Sequence, residues 1–191
     1  MLALLRRSSL TLLLLLTFTA PLSAGCGGLS YTVDGPVAPG PAEGSARVYF
    51  VLEQRYPGAA AYIVENETLL GYVRNAQYFY ADVPAGEHLF MLISEQTEGV
   101  RGNFEAGKTY HLKLFVTPGF WQTRVYWTPL EATGKDAKTR VEDVEDCRRV
   151  ELDPDRAARW EAKYAERNKE RVHNFEAGKD DVTTIEPKHG Q

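Results

Sequence analysis

"TYHLKLFVTPG", Thr109 to Gly119, decides how the chain around it folds. Tyr110, Leu112, Leu114 and Val116 alternate with His111, Lys113 and Phe115, the period of two that belongs to a strand with one buried face. The stretch just before it, "GNFEAGKT" from Gly102 to Thr109, satisfies the phosphate-loop pattern G-x-x-x-x-G-K-[ST]. In a nucleotide site, that lysine and threonine open a helix whose N-terminus faces the phosphates. A strand follows here instead, so no nucleotide is expected at Gly102 to Thr109, and the lysine is expected to meet only water. "NFEAGK" recurs at Asn174 to Lys179 between unrelated flanks, so this is no repeated domain. The first copy reads as a turn into a strand and the second as a helix ending on Gly178.

Working outward, "ARVYFVLEQ" sets Val48, Phe50 and Leu52 against Arg47, Tyr49 and Glu53 with the same period. "AAYIV", "TLLGYV", "QYFYADV", "EHLFMLIS" and "WQTRVYWTPL" are further short apolar runs, separated by "YPG", "ENE", "RNA", "PAGE" and "TPGF". Seven or eight strands over residues 46–132, with no helical stretch among them, predict a mainly β fold, an antiparallel β-sandwich. In "DVPAGEH", Pro84 and Gly86 read as hairpin hardware between two of those strands.

The N-terminus carries an address. Arg6 and Arg7 precede the apolar run Leu10 to Leu22, and Ser23 to Gly25 are small residues, the layout of a secretory signal peptide over residues 1–25. The run falls short of the roughly 18 to 20 residues that a spanning helix needs. Those 25 residues hold two positive charges and no negative one, so the formal charge of −4 becomes −6 without them. So acidic a chain excludes a nucleic-acid partner. Residues 26–45, rich in Gly and Pro, read as a flexible tether.

"LSAGC", Leu22 to Cys26, resembles the lipobox of bacterial lipoproteins, with Ser23 where that family most often has leucine. The resemblance implies lipidation at Cys26 and cleavage just before it. Gly27 in the next position, by likeness to lipoprotein sorting signals, implies the outer membrane of a Gram-negative cell, periplasmic side. The alternative is a soluble secreted protein with a stray cysteine. If Cys26 carries lipid, Cys147 is left without a disulfide partner in the chain, either inert or paired with another molecule.

"ARVYFVLE", "YIVENETLLGYVRNAQYFYADVPAGEHLFML" and "FEAGKTYHLKLFV" together resemble a bacterial lipoprotein family of unknown function, over roughly residues 46–116. The layout is similar to PEGA-type, immunoglobulin-like sandwich domains of surface proteins. What the resemblance implies is a fold and a compartment, and no activity.

Beyond Ala132 nearly half the residues are charged, too many for residues 133–191 to form a core of their own. A helix is expected at about 154–177, with Asp153 as N-cap, Pro154 in the first position and Ala157, Trp160, Tyr164, Val172 and Phe175 near one face. That stripe can dock on the sandwich or on a partner.

Chemistry is hard to find. His88, His111, His173 and His189 share no metal-binding spacing, and neither a G-x-S-x-G elbow nor a Cys–His motif is present. Glu65 and Glu67 flank a turn, and "VEDVEDC" from Val141 to Cys147 lacks the spacing of a calcium loop; both read as solvated surface. No enzyme and no cofactor are expected. Rings occupy both phases of "YFY" and "FWQTRVYW", so Tyr78, Tyr80, Trp121 or Trp127 could face outward as a surface for an envelope protein, glycan or lipid, or could complete the core. The sequence therefore predicts a non-enzymatic outer-membrane lipoprotein with a binding or structural role, or alternatively a glycan- or lipid-binding module.

Overall fold

The computed structural model describes residues 28–118 and 123–191. In chain order the elements are β1 (Ser30–Thr32), β2 (Ser45–Leu52), β3 (Ala60–Glu65), β4 (Thr68–Arg74), β5 (Gln77–Pro84), β6 (Gly86–Ile93), β7 (Thr97–Phe104), β8 (Thr109–Pro118) and β9 (Thr123–Leu130). Helix α1 (Lys135–Glu145), β10 (Arg148–Leu152), helix α2 (Pro154–Glu176) and β11 (Val182–Thr184) follow. Two sheets form a sandwich, one in the order β1-β10-β5-β2-β8-β9 and the other β11-β7-β6-β3-β4.

The period of two read from the sequence is what builds the core. Val48, Phe50 and Leu52 of β2 point inward, as do Phe79 and Val83 of β5, and Tyr110, Leu112 and Leu114 of β8. Phe90 and Leu92 of β6 and Val100 of β7 meet them from the other sheet. Phe50 lies at the centre, its ring 4.8 Å from Phe79, 5.4 Å from Phe90 and 5.7 Å from Trp127.

Residues 46–132 supply eight of the strands, as expected, and the flanks add three more. The pairing is not purely antiparallel: β2 runs parallel to β8, β10 to β5 and β11 to β7. A parallel neighbour needs a long connection, and the tail and the intervening sheet provide it. "PAG" proves to be a corner rather than a hairpin, because β5 pairs within the first sheet and β6 within the second.

The flanks are bound to the sandwich. From Gly28 onward the expected tether is sewn down: β1 pairs with β10, Arg149 donates to the Pro36 carbonyl, and the Ala42 amide donates to Asp82. Residues 133–191 have no core of their own and use the sheets instead. Val150 and Ile185 enter the main core, while α2 lies on the outer face of the second sheet through Ala157, Trp160, Val172 and Phe175. The helical stripe thus docks at home. Helix α1 covers the outer face of the first sheet, where "VEDVEDC" was expected to be solvated. Asp143 is buried there because the helical period turns it, with Arg140 and Val144, toward the strands, and Cys147, just past the helix end, packs against the same face.

Candidate functional site

The loop that matches a phosphate site has its amides committed. Gly107 N–H donates to Ser45 O at 2.8 Å, Lys108 N–H to Glu105 O at 3.2 Å and Thr109 N–H to Gln191 O at 2.8 Å. An anion cradle needs those donors free. Lys108 does not meet water alone: its Nζ lies 2.9 Å from Glu105. Both copies of the hexapeptide carry a left-handed glycine in the fifth position, Gly107 at φ 78° and Gly178 at φ 66°, although one enters a strand and the other leaves a helix.

The aromatic residues singled out from the sequence divide between faces. Tyr78 and Tyr80 point to the outer face of the first sheet and close on Tyr49, with ring separations of 6.0 and 5.5 Å. Val144 of α1 and Cys147 pack against them, leaving Tyr78 only 6% exposed. Burial raises the phenol pKa of both Tyr49 and Tyr78. Arg47 stands 4.3 Å over the Tyr80 ring and clamps Asp82 through Nε and Nη2 at 2.7 and 2.9 Å. The paired hydrogen bond, chiefly, raises the arginine and lowers the carboxylate. Trp127 takes the other phase: at 4% exposure it belongs to the main core. Cys26 and Trp121 lie outside the described residues.

Between α1 and the first sheet sits a buried polar group. Lys113 Nζ donates to Asp143 Oδ1 at 2.6 Å, with Glu53 at 3.5 Å. His111 stacks on Tyr49 at 4.5 Å, and burial, reinforced by Arg140, pushes it down to about 3. Arg140, 2% exposed, donates from Nη2 to the Thr109 carbonyl at 2.7 Å. Burial and the nearby Asp143 push the Cys147 thiol up to about 12, so it is held as an unreactive thiol in the protein's interior. These groups fasten a helix to a sheet.

His88 and His111 lie on different sheets, so they do not combine. His88 contacts Glu65 through Nδ1 and donates from Nε2 to the Pro84 carbonyl at 2.7 Å. Glu65 is accordingly half-buried, unlike the exposed Glu67 beyond the turn. Among the described residues no cluster of His, Cys, Asp and Glu could hold a metal ion, and no helix is long and apolar enough to cross a membrane.

Open grooves lie elsewhere, one of them on residues that the strand pattern did not single out. Tyr72 and Tyr62 pair across β4 and β3 at 4.8 Å, Trp160 of α2 lies 5.0 Å from Tyr62, and Tyr164 lies 4.9 Å from Trp160. All four rings are partly exposed. At the Tyr72 end a groove of about 450 Å³ is walled by Tyr72, Arg74, Asn75, Gln77 and Arg148. Neither Arg74 nor Arg148 makes an ion pair among the described residues. By contrast, the cavity beside Tyr80 is about 100 Å³, well below the roughly 300 Å³ at which small-molecule sites begin. The helical spacing of Trp160 and Tyr164 was legible; their meeting with Tyr62 and Tyr72 depends on how α2 docks.

No protein-family model, curated protein or solved structure matches the chain.

Proposed function

We propose that this protein is a lipid-anchored component of the bacterial envelope, held by Cys26 on the periplasmic side of the outer membrane, with a binding or structural role rather than a catalytic one. The observation that carries the reading is the N-terminal order of Arg6 and Arg7, the apolar run and "LSAGC". The sandwich supports it by beginning directly afterwards, with ordered contacts from Gly28. The titratable residues support the non-catalytic part: His111 is neutral and enclosed, and the Cys147 thiol is pushed up to about 12. The second reading, a lipid- or glycan-binding module, finds no support at Tyr78 or Trp127, which are packed. What favours it is the Tyr72 groove with its two unpaired arginines.

The anchor is tested by expressing the full chain with and without a lipoprotein signal-peptidase inhibitor, and by Cys26→Ser. Processing that stops with the inhibitor, together with an acyl mass on Cys26 that the variant lacks, is the expected result. Unchanged processing and no acyl mass would sink the proposal.

A further inference from the structure

The distance between the anchor and the first fixed residue limits where the sandwich can stand. Gly28 is already held: its carbonyl accepts from Arg156 Nη1 at 2.8 Å, and the next carbonyl, of Leu29, accepts from the Asp153 amide at 3.0 Å. Leu29 packs among the residues beneath α2, and Ser30–Thr32 is a strand of the first sheet. Cys26 lies two residues before Gly28. A chain spans at most about 3.6 Å per residue, so the Cα of a lipidated Cys26 stays within about 7 Å of that of Gly28, with only the cysteine side chain and its glyceryl group between it and the acyl chains. The headgroup layer of one leaflet is about 5 to 8 Å deep. The pole of the sandwich around Gly28 is therefore kept next to the headgroups.

The surface there suits that neighbour. A Cβ on Gly28 would stand 3.8 Å from Arg74 Nη2, so the anchor point and this guanidinium are adjacent. Arg74 and Arg148 share the groove beside Tyr72, both exposed. Tyr31, 50% exposed, lies three residues after Gly28 and supplies an amphipathic ring of the kind that settles at a membrane interface.

We propose that the Tyr72–Arg74–Arg148 groove takes the phosphate of an anionic phospholipid headgroup, in the leaflet that holds the acyl chains of Cys26. The sandwich then lies against the bilayer instead of standing off it on a stalk. This rests on the lipid-anchor reading, and the experiment separates the two.

Lipidated full-length protein, its acyl mass on Cys26 verified first, is placed in detergent micelles, in phosphatidylcholine vesicles and in vesicles rich in phosphatidylglycerol. Hydrogen exchange is followed over residues 28–33, 72–77 and 146–150. Slower exchange in the phosphatidylglycerol vesicles is expected, and Arg74→Gln or Arg148→Gln should each weaken that protection about fivefold while leaving the anchor in place. Inorganic phosphate at millimolar concentration should not reproduce the protection, because the headgroup is held there by the anchor. Ten Gly/Ser residues inserted between Gly27 and Gly28 should release it. A missing acyl mass overturns the anchor. Equal exchange in micelles and vesicles, protection indifferent to both arginine variants, or protection that free phosphate reproduces, overturns the headgroup site and leaves the anchor standing.

Discussion

Each outer face of the sandwich is closed by one helix, and the two closures differ in how much buried charge they use. Under α2 the contact is apolar: Val64, Leu69, Met91 and Ile93 of the second sheet meet Ala157 and Phe175, and Gly99 gives the Phe175 ring its place. Polar groups enter it at Glu161, whose Oε1 accepts from the Leu69 amide at 2.8 Å, and at Asn168, whose Oδ1 accepts from Arg171 at 2.8 Å. Under α1 a smaller apolar contact, Val144 against the tyrosines, is joined by buried polar pairs: Lys113 with Asp143, Arg140 with the Thr109 carbonyl, and His111 beside them. Apolar area stabilises in proportion to what is removed from water and tolerates small slips. A buried ion pair returns much of its Coulomb energy as desolvation but holds in one geometry. The first face is where stability comes from, and the second is where position is fixed.

Breaking the ion pair should give the largest effect. Lys113→Met leaves the Asp143 carboxylate buried without its partner, and is expected to cost about 3 to 5 kcal/mol near neutral pH. Burial already outweighs Lys113 and raises the Asp143 pKa, and removing the lysine raises it further. A carboxylate raised in the folded state costs stability above that pKa and ceases to do so once protonated, so the loss should shrink as pH falls. The double variant Lys113→Met/Asp143→Leu should recover to within about 1 kcal/mol of the native chain, because apolar isosteres remove both charges. Urea denaturation at two pH values reads both. A double variant as unstable as the single one would mean that the pair contributes energy as well as position.

The contrast between the faces also explains what could be foreseen. The sandwich was legible because alternation in β2 and β8 is a property of neighbouring residues, and each strand carries it whole. Helix α2 was legible for a similar reason, since Asp153, Pro154 and Gly178 punctuate it. Helix α1 begins at Gly134 without a side-chain cap, and its buried residues are Arg140 and Asp143, so composition argued for solvent. Only the arrival of Lys113 from β8 makes that face an inside. The same holds for the open surface: Tyr62, Tyr72 and Trp160 come from three elements, and no local spacing joins them. Conversely, Tyr78 and Trp127 looked available as surface because the sequence does not show that α1 will cover one and that the other faces the core.

A middle-sized effect should separate the faces by pH. The folded value of His111, about 3, lies below its unfolded value of 6.5, so the unfolded chain takes up the proton first and protonation favours unfolding. Stability from the neutral ring is complete above about pH 6.5 and is lost as pH falls toward 3, at about 1.4 kcal/mol per unit. By pH 5 the loss should reach about 2 kcal/mol. His111→Phe should flatten the stability profile between pH 6.5 and 5, while leaving the α2 side of the molecule unaltered in hydrogen exchange. A variant with the native slope would assign the pH response to another group.

The smallest effect concerns how the helices start. The Asp153 side chain accepts from the Arg156 amide at 3.1 Å, whereas α1 has no such cap, and Asp136 in its first turn accepts from the Glu131 amide at 3.0 Å. Asp153→Ala should cost about 1 kcal/mol, and Asp153→Asn only a few tenths, since asparagine caps as well. The backbone of the same residue holds Leu29, so fraying at the start of α2 should loosen β1 with it. Hydrogen exchange is then expected to rise together in residues 29–32 and 154–158 and to stay unchanged in α1. If only the helix end loosens, β1 is held by β10 alone. The N-terminal strand would then keep its seat on the sandwich however α2 begins.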